Sequence, residues 1–243
     1  MAAAWKSYTK EIYRSIHYLA TWPPTRTLAV GDIVVFEGRS PERHLSLSDL
    51  GFDFETRTDA DLRTRGWATR RSIKTEPAAG ASGPVEPGIV AQARMKLTFE
   101  TRNSFILRAE RSCEKTMERL DRVEDEMLRL HDEGEWRKEW RLVTHVVEAG
   151  SMMALVSEGR GTTADLEVSG GIGMDSLSVA QAQGEVKLVN SSAGLNYEAG
   201  ENATPLYQAR RIKRLFGKGT KQVGKRGRAR ARLGEFGVAE ETF

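Results

Sequence analysis

The strongest evidence for the fold class is the segment WRLVTHVVEAGSMMALVSEGRGTTADLEV, residues 140–168. Two β-prone segments in it, 152–157 and 162–168, are separated by Gly159 and Gly161. Short segments of this kind, joined by glycine-containing turns, are typical of antiparallel hairpins. Side chains of alternating character precede the first segment at Trp140, Leu142, Thr144 and Val146. The stretch therefore predicts antiparallel β-structure.

The same pattern extends in both directions. Upstream, residues 93–109 alternate on either side of Arg102-Asn103, which we interpret as a turn or a kink. Downstream, the pattern recurs in segments 185–190, 194–199 and 204–212. We therefore expect most of the second half of the chain to form strands.

Two segments have helical periodicity instead. Residues 4–20 carry apolar side chains at three- and four-residue spacing, and residues 114–131 carry an apolar stripe flanked by charges. Together with the strands they predict an α+β fold, in which a few helices pack on a twisted central antiparallel β-sheet. Residues 72–92 contain three of the seven prolines and several glycines, which predicts a mobile loop.

The charges of the 243-residue chain are unevenly distributed, although the formal net charge is only +3. Residues 210–232 contain eleven Lys and Arg and no acid, which leaves the remainder at a net charge of −8. Such a run predicts a solvated basic arm that binds a polyanion: nucleic acid, anionic lipid or an acidic protein. Residues 233–243 are acidic again and include several apolar side chains.

Several classes of function lack support in the sequence. A single cysteine, Cys113, excludes a disulfide scaffold, and the four histidines have no ligand-like spacing. We interpret Cys113 as a half-buried structural residue at a strand-to-helix junction, and His145 as a surface or cross-strand residue. No motif of a P-loop, a serine hydrolase or a zinc protease is found, so we expect no enzyme, metal or cofactor. The absence of a secretory leader or a long apolar run favours a cytoplasmic protein.

The order of the elements resembles that of the gasdermins, in particular the short bacterial gasdermins that lack a large inhibitory domain. The resemblance covers roughly residues 5–216 and consists of order and spacing. The most specific part of the resemblance is a hairpin in the last third of the chain, followed by a strand that contains Pro205-Leu206. The matching segments are the opening helix with its proline turn, Leu28-x-x-x-Asp32-Ile33, residues 45–50, the glycine-rich loop, residues 95–100, the charged helix, and residues 146–149, 178–189, 192–197 and 204–210.

This resemblance implies an autoinhibited pore-forming protein. In that family a protease removes C-terminal residues, and amphipathic hairpins then lengthen and join into a large β-barrel in the membrane. The resulting cell death defends the population against phage. We accordingly expect a pore-forming domain over residues 1–216 and a removable tail over residues 217–243. Bacterial gasdermins often carry a lipid-modified cysteine near the N-terminus, whereas residues 2–4 here are alanines.

The resemblance also implies partners and locations. The partners are an activating protease, anionic membrane lipids and, in the active state, further copies of the chain. The inactive protein is expected in the cytoplasm and the activated one in the inner (plasma) membrane. Basic side chains contribute about 1 kcal/mol each at an anionic leaflet. The candidate lipid-binding residues are Lys6, Lys10, Arg14, Arg210, Arg211, Lys213 and Arg214.

Two further sets of candidate residues lie in the tail. Exposed loop tips are preferred sites of proteolysis, and we expect the basic cluster of the tail to be a substrate for a trypsin-like protease. The candidate cleavage region comprises Lys225, Arg226, Arg228, Arg230 and Arg232. Cleavage there would release the apolar residues that we expect to dock on the body and inhibit assembly. These candidate inhibitory contacts are Leu233, Phe236, Val238 and Phe243.

The main alternative is a nucleic-acid-binding protein that uses the basic tail 210–232 to hold phosphates without sequence preference. Against it, the tail has no interleaved aromatic side chains apart from Phe216, so base stacking is not indicated. An enzyme of a kind that these motifs do not reveal is a third alternative.

Overall fold

The computed structural model describes residues 4–37, 40–59, 61–69, 72–77, 92–169, 179–180, 185–213 and 232–235. Within these residues it contains two α-helices, α1 (Ala4–Ile16) and α2 (Leu120–Asp132), and thirteen strands. The strands are β1 (Leu19–Ala20), β2 (Asp32–Glu37), β3 (Ser40–Ser46), β4 (Thr56–Thr58), β5 (Arg63–Ala68), β6 (Ile73–Pro77), β7 (Gln92–Phe99), β8 (Phe105–Met117), β9 (Arg141–Ser157), β10 (Thr162–Ser169), β11 (Val186–Ser191), β12 (Leu195–Lys213) and β13 (Arg232–Glu235).

The larger sheet, called the central sheet below, contains nine antiparallel strands. β9 lies in its middle, between β12 on one side and β8 and β2 on the other. The outer strands extend the sheet: β1 and β13 pair with β12, β3 pairs with β2, and β4 and β5 pair with β8. With its two packed helices, the described chain confirms the predicted α+β fold with a central antiparallel sheet.

A second sheet contains four antiparallel strands in the order β6-β7-β10-β11. It packs on one face of β8 and β9 through a wholly apolar cluster. Alternation of side chains along β7 and β10 turns their apolar residues toward this contact. The buried side chains at the contact include Met95, Leu97, Phe99, Ile106, Met153, Leu155, Ala164, Leu166 and Val168.

α1 covers the opposite face of β8 and β9. Tyr8 and Ile12, one helical turn apart, are fully buried against that face together with Leu107. Successive strand residues point to opposite faces, so Leu107 packs under α1 while Ile106 packs under the second sheet. Because this part of the central sheet is covered on both faces, β9 is buried at most of its positions.

α2 packs at the end of the central sheet that lies away from the second sheet. Its buried stripe consists of Val123, Met127 and Leu130, spaced by one helical turn. This stripe contacts Met117 at the end of β8 and Leu142 at the start of β9. The two helices therefore cover different parts of the same sheet.

The helix predicted over residues 114–131 begins only at Leu120, so the prediction was wrong over 114–119. Residues up to Met117 belong to β8, and Cys113 lies within this strand rather than at its junction with a helix. The reason is cross-strand pairing: Thr116 lies opposite His145 of β9. Such long-range hydrogen bonding outweighs local helical periodicity.

The predicted loop over residues 72–92 was wrong at its start. Ile73–Pro77 is β6, which pairs with β7, and β7 itself begins at Gln92. β6 is an edge strand, where proline is tolerated because it need not donate to a neighbouring strand. Residues 78–91 lie outside the described part of the chain.

The basic arm was predicted to begin at residue 210, but Arg210–Lys213 are the last residues of β12. Its other end, at Arg232, begins β13. Residues 214–231 and 236–243 lie outside the described residues.

Candidate functional site

Four strands of the central sheet continue directly into the four strands of the second sheet. Along the chain, β5 leads into β6, β7 into β8, β9 into β10, and β11 into β12. Three of the turns that join them are residues 100–104, 158–161 and 192–194, which hydrogen-bond to one another's strand ends. We call these three turns the crease.

The second sheet is the continuation of the central sheet, folded back at the crease. The strand order is β5-β8-β9-β12 in the central sheet and β6-β7-β10-β11 in the second. Each strand therefore keeps the same neighbours on both sides of the crease. Together the eight strands are one four-stranded sheet of double length, folded onto itself.

The register of the central pair of strands is the same on both sides of the crease. Phe99 lies opposite Thr162 in the second sheet, and Phe105 lies opposite Val156 in the central sheet. Six residues separate these positions on each strand, so the ladder between β7–β8 and β9–β10 contains no register shift. Straightening the crease would leave this pairing intact.

The register between β9–β10 and the neighbouring strands β11–β12 is not the same on both sides of the crease. Ser157 lies opposite Leu195, and Ala164 lies opposite Ser191. The chain thus advances seven residues on β9–β10 and only four on β11–β12. Straightening the crease here would require one strand to slip by three residues.

Hydroxyl side chains hold the crease closed. The fully buried Ser157 donates its hydroxyl hydrogen bond to the Thr101 carbonyl (3.1 Å). The Ser104 hydroxyl lies 2.9 Å from the same carbonyl and 3.0 Å from the Ser72 hydroxyl. The sequence indicated these breaks from Arg102-Asn103, from Gly159 and Gly161, and from Ser191-Ser192. It did not indicate the hydrogen bonds of Ser104 and Ser157, since serine and threonine occur in turns of every kind.

The second sheet has one buried and one solvated face. In β10, every second residue from Thr162 to Val168 is buried and those between are partly exposed. The outer face carries charged side chains, and Arg94 lies opposite Glu167 with 3.6 Å between Nε and Oε2. The second sheet is therefore attached to the rest of the protein mainly through its apolar face.

The C-terminal tail pairs with the edge of the central sheet. β13 runs antiparallel to the end of β12, with Leu233 opposite Ile212 in the register. Further along the same edge, β1 pairs with β12 at Leu206 and Tyr207. These two short strands cover the edge of β12 over parts of its length. An uncovered edge presents unpaired N–H and C=O groups that readily pair with another chain.

The predicted lipid-binding residues lie on different elements. Lys10 and Arg14 are exposed on α1, where Arg14 pairs with Glu11 (3.1 Å). Arg210 of β12 is engaged by Glu124 of α2 (2.8 Å), and Arg211 is partly buried. The side chains of Lys6 and Lys213, and the whole of Arg214, lie outside the described residues.

Most of the predicted tail residues lie outside the described part of the chain. Only Arg232 of the cleavage cluster and Leu233 of the inhibitory set are placed, both in β13. The predicted residues that are not placed are Lys225, Arg226, Arg228, Arg230, Phe236, Val238 and Phe243.

His145 sits in a cross-strand cluster between the end of α1 and the central sheet. Its Nε2 lies 3.1 Å from the Tyr18 hydroxyl and 3.3 Å from Glu114 Oε2, and its Nδ1 lies 3.2 Å from the Thr116 hydroxyl. Burial, followed by the positive charge of Arg65, lowers the pKa of His145. The cross-strand interpretation of His145 is confirmed, and the cluster anchors the chain that leaves α1.

No protein-family model matches the chain, and no curated protein matches it significantly. Among the residues that the structure describes, no helix is both long and apolar enough to cross a membrane. The same residues contain no group of three or more His, Cys, Asp or Glu side chains arranged to hold a metal ion.

Proposed function

We propose that this protein forms pores in membranes, and that the second sheet is the stored form of the membrane-crossing strands. The observation that carries the proposal is the shared strand order of the two sheets. Opening the crease would convert the folded double layer into one long antiparallel sheet. The continuous register of β7–β8 with β9–β10 supports this, since that ladder needs no new pairing.

The alternation of β7 and β10 suits a strand with lipid on one side and water on the other. A membrane-crossing strand needs about 9–11 residues. β7 and β10 supply eight residues each, and the crease adds more when it straightens. Lipid would cover the side chains that now pack on the central sheet, such as Leu97 and Leu166. The charged outer face, with Arg94 and Glu167, would line the water-filled side.

The tail strand supports control of this process by proteolysis. Cleavage in the cluster between Lys225 and Arg230 would separate β13 from the body. The end of β12, Arg210–Lys213, would then lose its strand partner. A free edge favours pairing with a second copy of the chain, which is the step that an oligomeric pore requires. Lys10 and Arg14 on α1 would add attraction to anionic lipid.

In a bacterium, activation would move the protein from the cytoplasm to the inner membrane and kill the cell. A role in defence against phage rests on the resemblance to gasdermins.

The first test is dye release from vesicles. Residues 225–230 are replaced by the recognition sequence of a site-specific protease, because exposed arginines elsewhere would also be cut by trypsin. We expect release from phosphatidylglycerol-containing vesicles only after cleavage, and less release from pure phosphatidylcholine vesicles. The matched control carries the same insert with its cleaved position substituted. Intact vesicles after complete cleavage of the folded protein would overturn the proposal.

A second test addresses the strands. Single cysteines are introduced along β10 from Ala164 to Glu167 in a Cys113→Ser background and labelled with an environment-sensitive dye. After activation on vesicles, we expect lipid-phase quenchers to act on positions 164 and 166, and aqueous quenchers on positions 165 and 167. Loss of this alternation would show that β10 does not cross the membrane as a strand.

Nucleic-acid binding is the second candidate, favoured by the eleven basic residues over 210–232. It predicts an affinity for DNA or RNA that falls steeply with salt, measured by fluorescence anisotropy. A variant with the Lys and Arg residues of 214–232 neutralised should then lose binding. Tight, salt-dependent binding without any dye release would favour this function over pore formation.

A further inference from the structure

A cleft of about 690 Å³ lies over the middle of the central sheet, away from the crease. Arg111, Gly150 and Asn202 line it where β8, β9 and β12 lie side by side, and we call these three residues its floor; the side chains of Arg111 and Asn202 are exposed. Other lining residues come from the segment before β2 and the first residue of β2, from β3 and from the link between β4 and β5. They include Thr27, Asp32, Arg43 and Leu62.

Two residues of this floor have an unusual backbone conformation. Arg111 has φ +47° and Asn202 has φ +51°, in the left-handed region that non-glycine residues rarely adopt. Arg111 belongs to a bulge, because Arg63 and Arg65 of β5 lie opposite Ser112 and Ala109 of β8. Such strained residues cluster at functional sites, where the surrounding structure holds them in place.

The guanidinium of Arg111 lies directly against the backbone of Gly150. A Cβ atom at position 150 would lie 2.9 Å from Arg111 Nε and 3.1 Å from its Cζ. Only glycine therefore leaves room for the side chain in this position. The bulge and the glycine together fix a positive charge at the floor of the cleft.

This charge has no ion-pair partner within the described residues. The two acids of the cleft are already engaged. Asp32 accepts hydrogen bonds from Arg43 Nε (2.7 Å) and the Ala29 N–H (2.8 Å). Glu148 pairs with Lys115 (2.8 Å). An uncompensated cation that lines a concave surface attracts anions.

We propose that this cleft is a binding site for a ligand's phosphate or carboxylate group, received by Arg111. The guanidinium offers paired donors that match both oxyanions. Asn202 is part of the same floor, and the volume is in the range of small-ligand pockets. The proposal does not depend on pore formation.

Cys113 supplies a reporter, because it lines the cleft and is the only cysteine of the chain. In alkylation, the thiolate sulfur attacks the methylene carbon of the reagent and iodide leaves. Iodoacetate carries a carboxylate and iodoacetamide does not, so the ratio of their rates measures attraction of an anion to the cleft. We expect this ratio to be about fivefold higher for the folded full-length chain than for the same chain in urea.

Inorganic phosphate at constant ionic strength should slow both reagents saturably. A parallel series uses phosphatidylcholine vesicles with and without phosphatidic acid. Protection by free phosphate assigns a soluble ligand, and protection by phosphatidic acid vesicles alone assigns a lipid headgroup. Either result supports the oxyanion site.

Variants test the role of the arginine. Arg111→Gln should lower the rate ratio to the unfolded value and abolish protection, whereas Arg111→Lys should keep most of the ratio and weaken protection. Arg102→Gln removes an equal charge from the crease and should change neither. An unchanged ratio on folding of the native chain, with no protection by phosphate or vesicles, would overturn the proposal without recourse to any variant.

Discussion

The central sheet and the second sheet share one strand order but differ in how many of their faces are covered by other elements. β9 is covered on both faces, by α1 and by the second sheet, and is buried at most positions. β10 is covered on one face, and its buried and partly exposed residues alternate. Local opening costs less where fewer apolar contacts must be broken. The second sheet should therefore separate from the body at a lower free energy than global unfolding requires.

We expect the strongest effects when a leucine is truncated to alanine in each of the two apolar contacts, the one between α1 and the central sheet and the one between the two sheets. Leu107→Ala removes a fully buried side chain from the contact with α1, and Leu166→Ala removes one from the contact between the sheets. We expect each to cost about 3 kcal/mol, because each leaves a cavity. Leu107→Ala should lower the global free energy of unfolding in urea.

Leu166→Ala should in addition accelerate hydrogen exchange in β7 and β10 by roughly 100-fold, with a smaller effect on β8 and β9. Equal acceleration in all four strands would show that the two sheets open as one unit.

The crease hydroxyls should have the next largest effect. Ser157→Ala removes the hydrogen bond that the fully buried Ser157 hydroxyl donates to the Thr101 carbonyl, which we expect to cost about 1 kcal/mol. Hydrogen exchange in the second sheet should rise with little change in β9. The control is Ser191→Ala, since Ser191 is exposed at the end of β11. Similar effects from both substitutions would argue against a specific role of the crease.

Substitution of Tyr8 should change the free energy of unfolding by a smaller amount and in the opposite direction. Its side chain projects from α1 and is fully buried, and its hydroxyl has no hydrogen-bond partner among the residues that the structure describes. Burial also raises the pKa of this hydroxyl. We expect Tyr8→Phe to raise the free energy of unfolding by about 1 kcal/mol, measured in urea. Tyr18→Phe is the matched control, and it should destabilise because it removes the contact with His145.

The smallest expected effect is a pH dependence of the central sheet. The pKa of His145 is lowered by burial and by Arg65, so between this value and about 6.5 the unfolded chain binds more protons than the folded one. The contribution of His145 to the free energy of unfolding is fully present above about pH 6.5, and it is lost as the pH falls through the pKa that His145 has in the folded protein. His145→Gln should flatten the decline in urea midpoint between about pH 7.5 and pH 5.5. An identical decline in both proteins would exclude His145 as its source.

Much of the fold was predictable because it rests on local signals. The alternation of residues 93–109 and the glycines after residue 157 predicted strands and a turn, and both are confirmed in β7 to β10. The start of α2 was not predictable, since residues 114–117 become strand only through pairing with β9. Ile73–Pro77 was missed for the same reason, as its partner β7 lies beyond a long intervening segment.

The candidate sites depended still more on long-range contacts. No sequence signal marks Arg111, whose position follows from a bulge in β8 and from Gly150 on the next strand. The serines of the crease look like ordinary turn residues until the carbonyl of Thr101 is placed beside them. The basic tail is obvious in the sequence, yet its pairing with β12 is not.

The α+β class, the succession of hairpins and the separation of an acidic body from a basic tail could be read from local patterns, because hydrophobic period and charge are properties of neighbouring residues. The folded chain was needed to show that the hairpins stack as a sheet folded back on its own continuation, which strand covers which edge, and where Arg111 lies. These features depend on pairing between residues distant in the chain, and strand periodicity alone does not specify a partner.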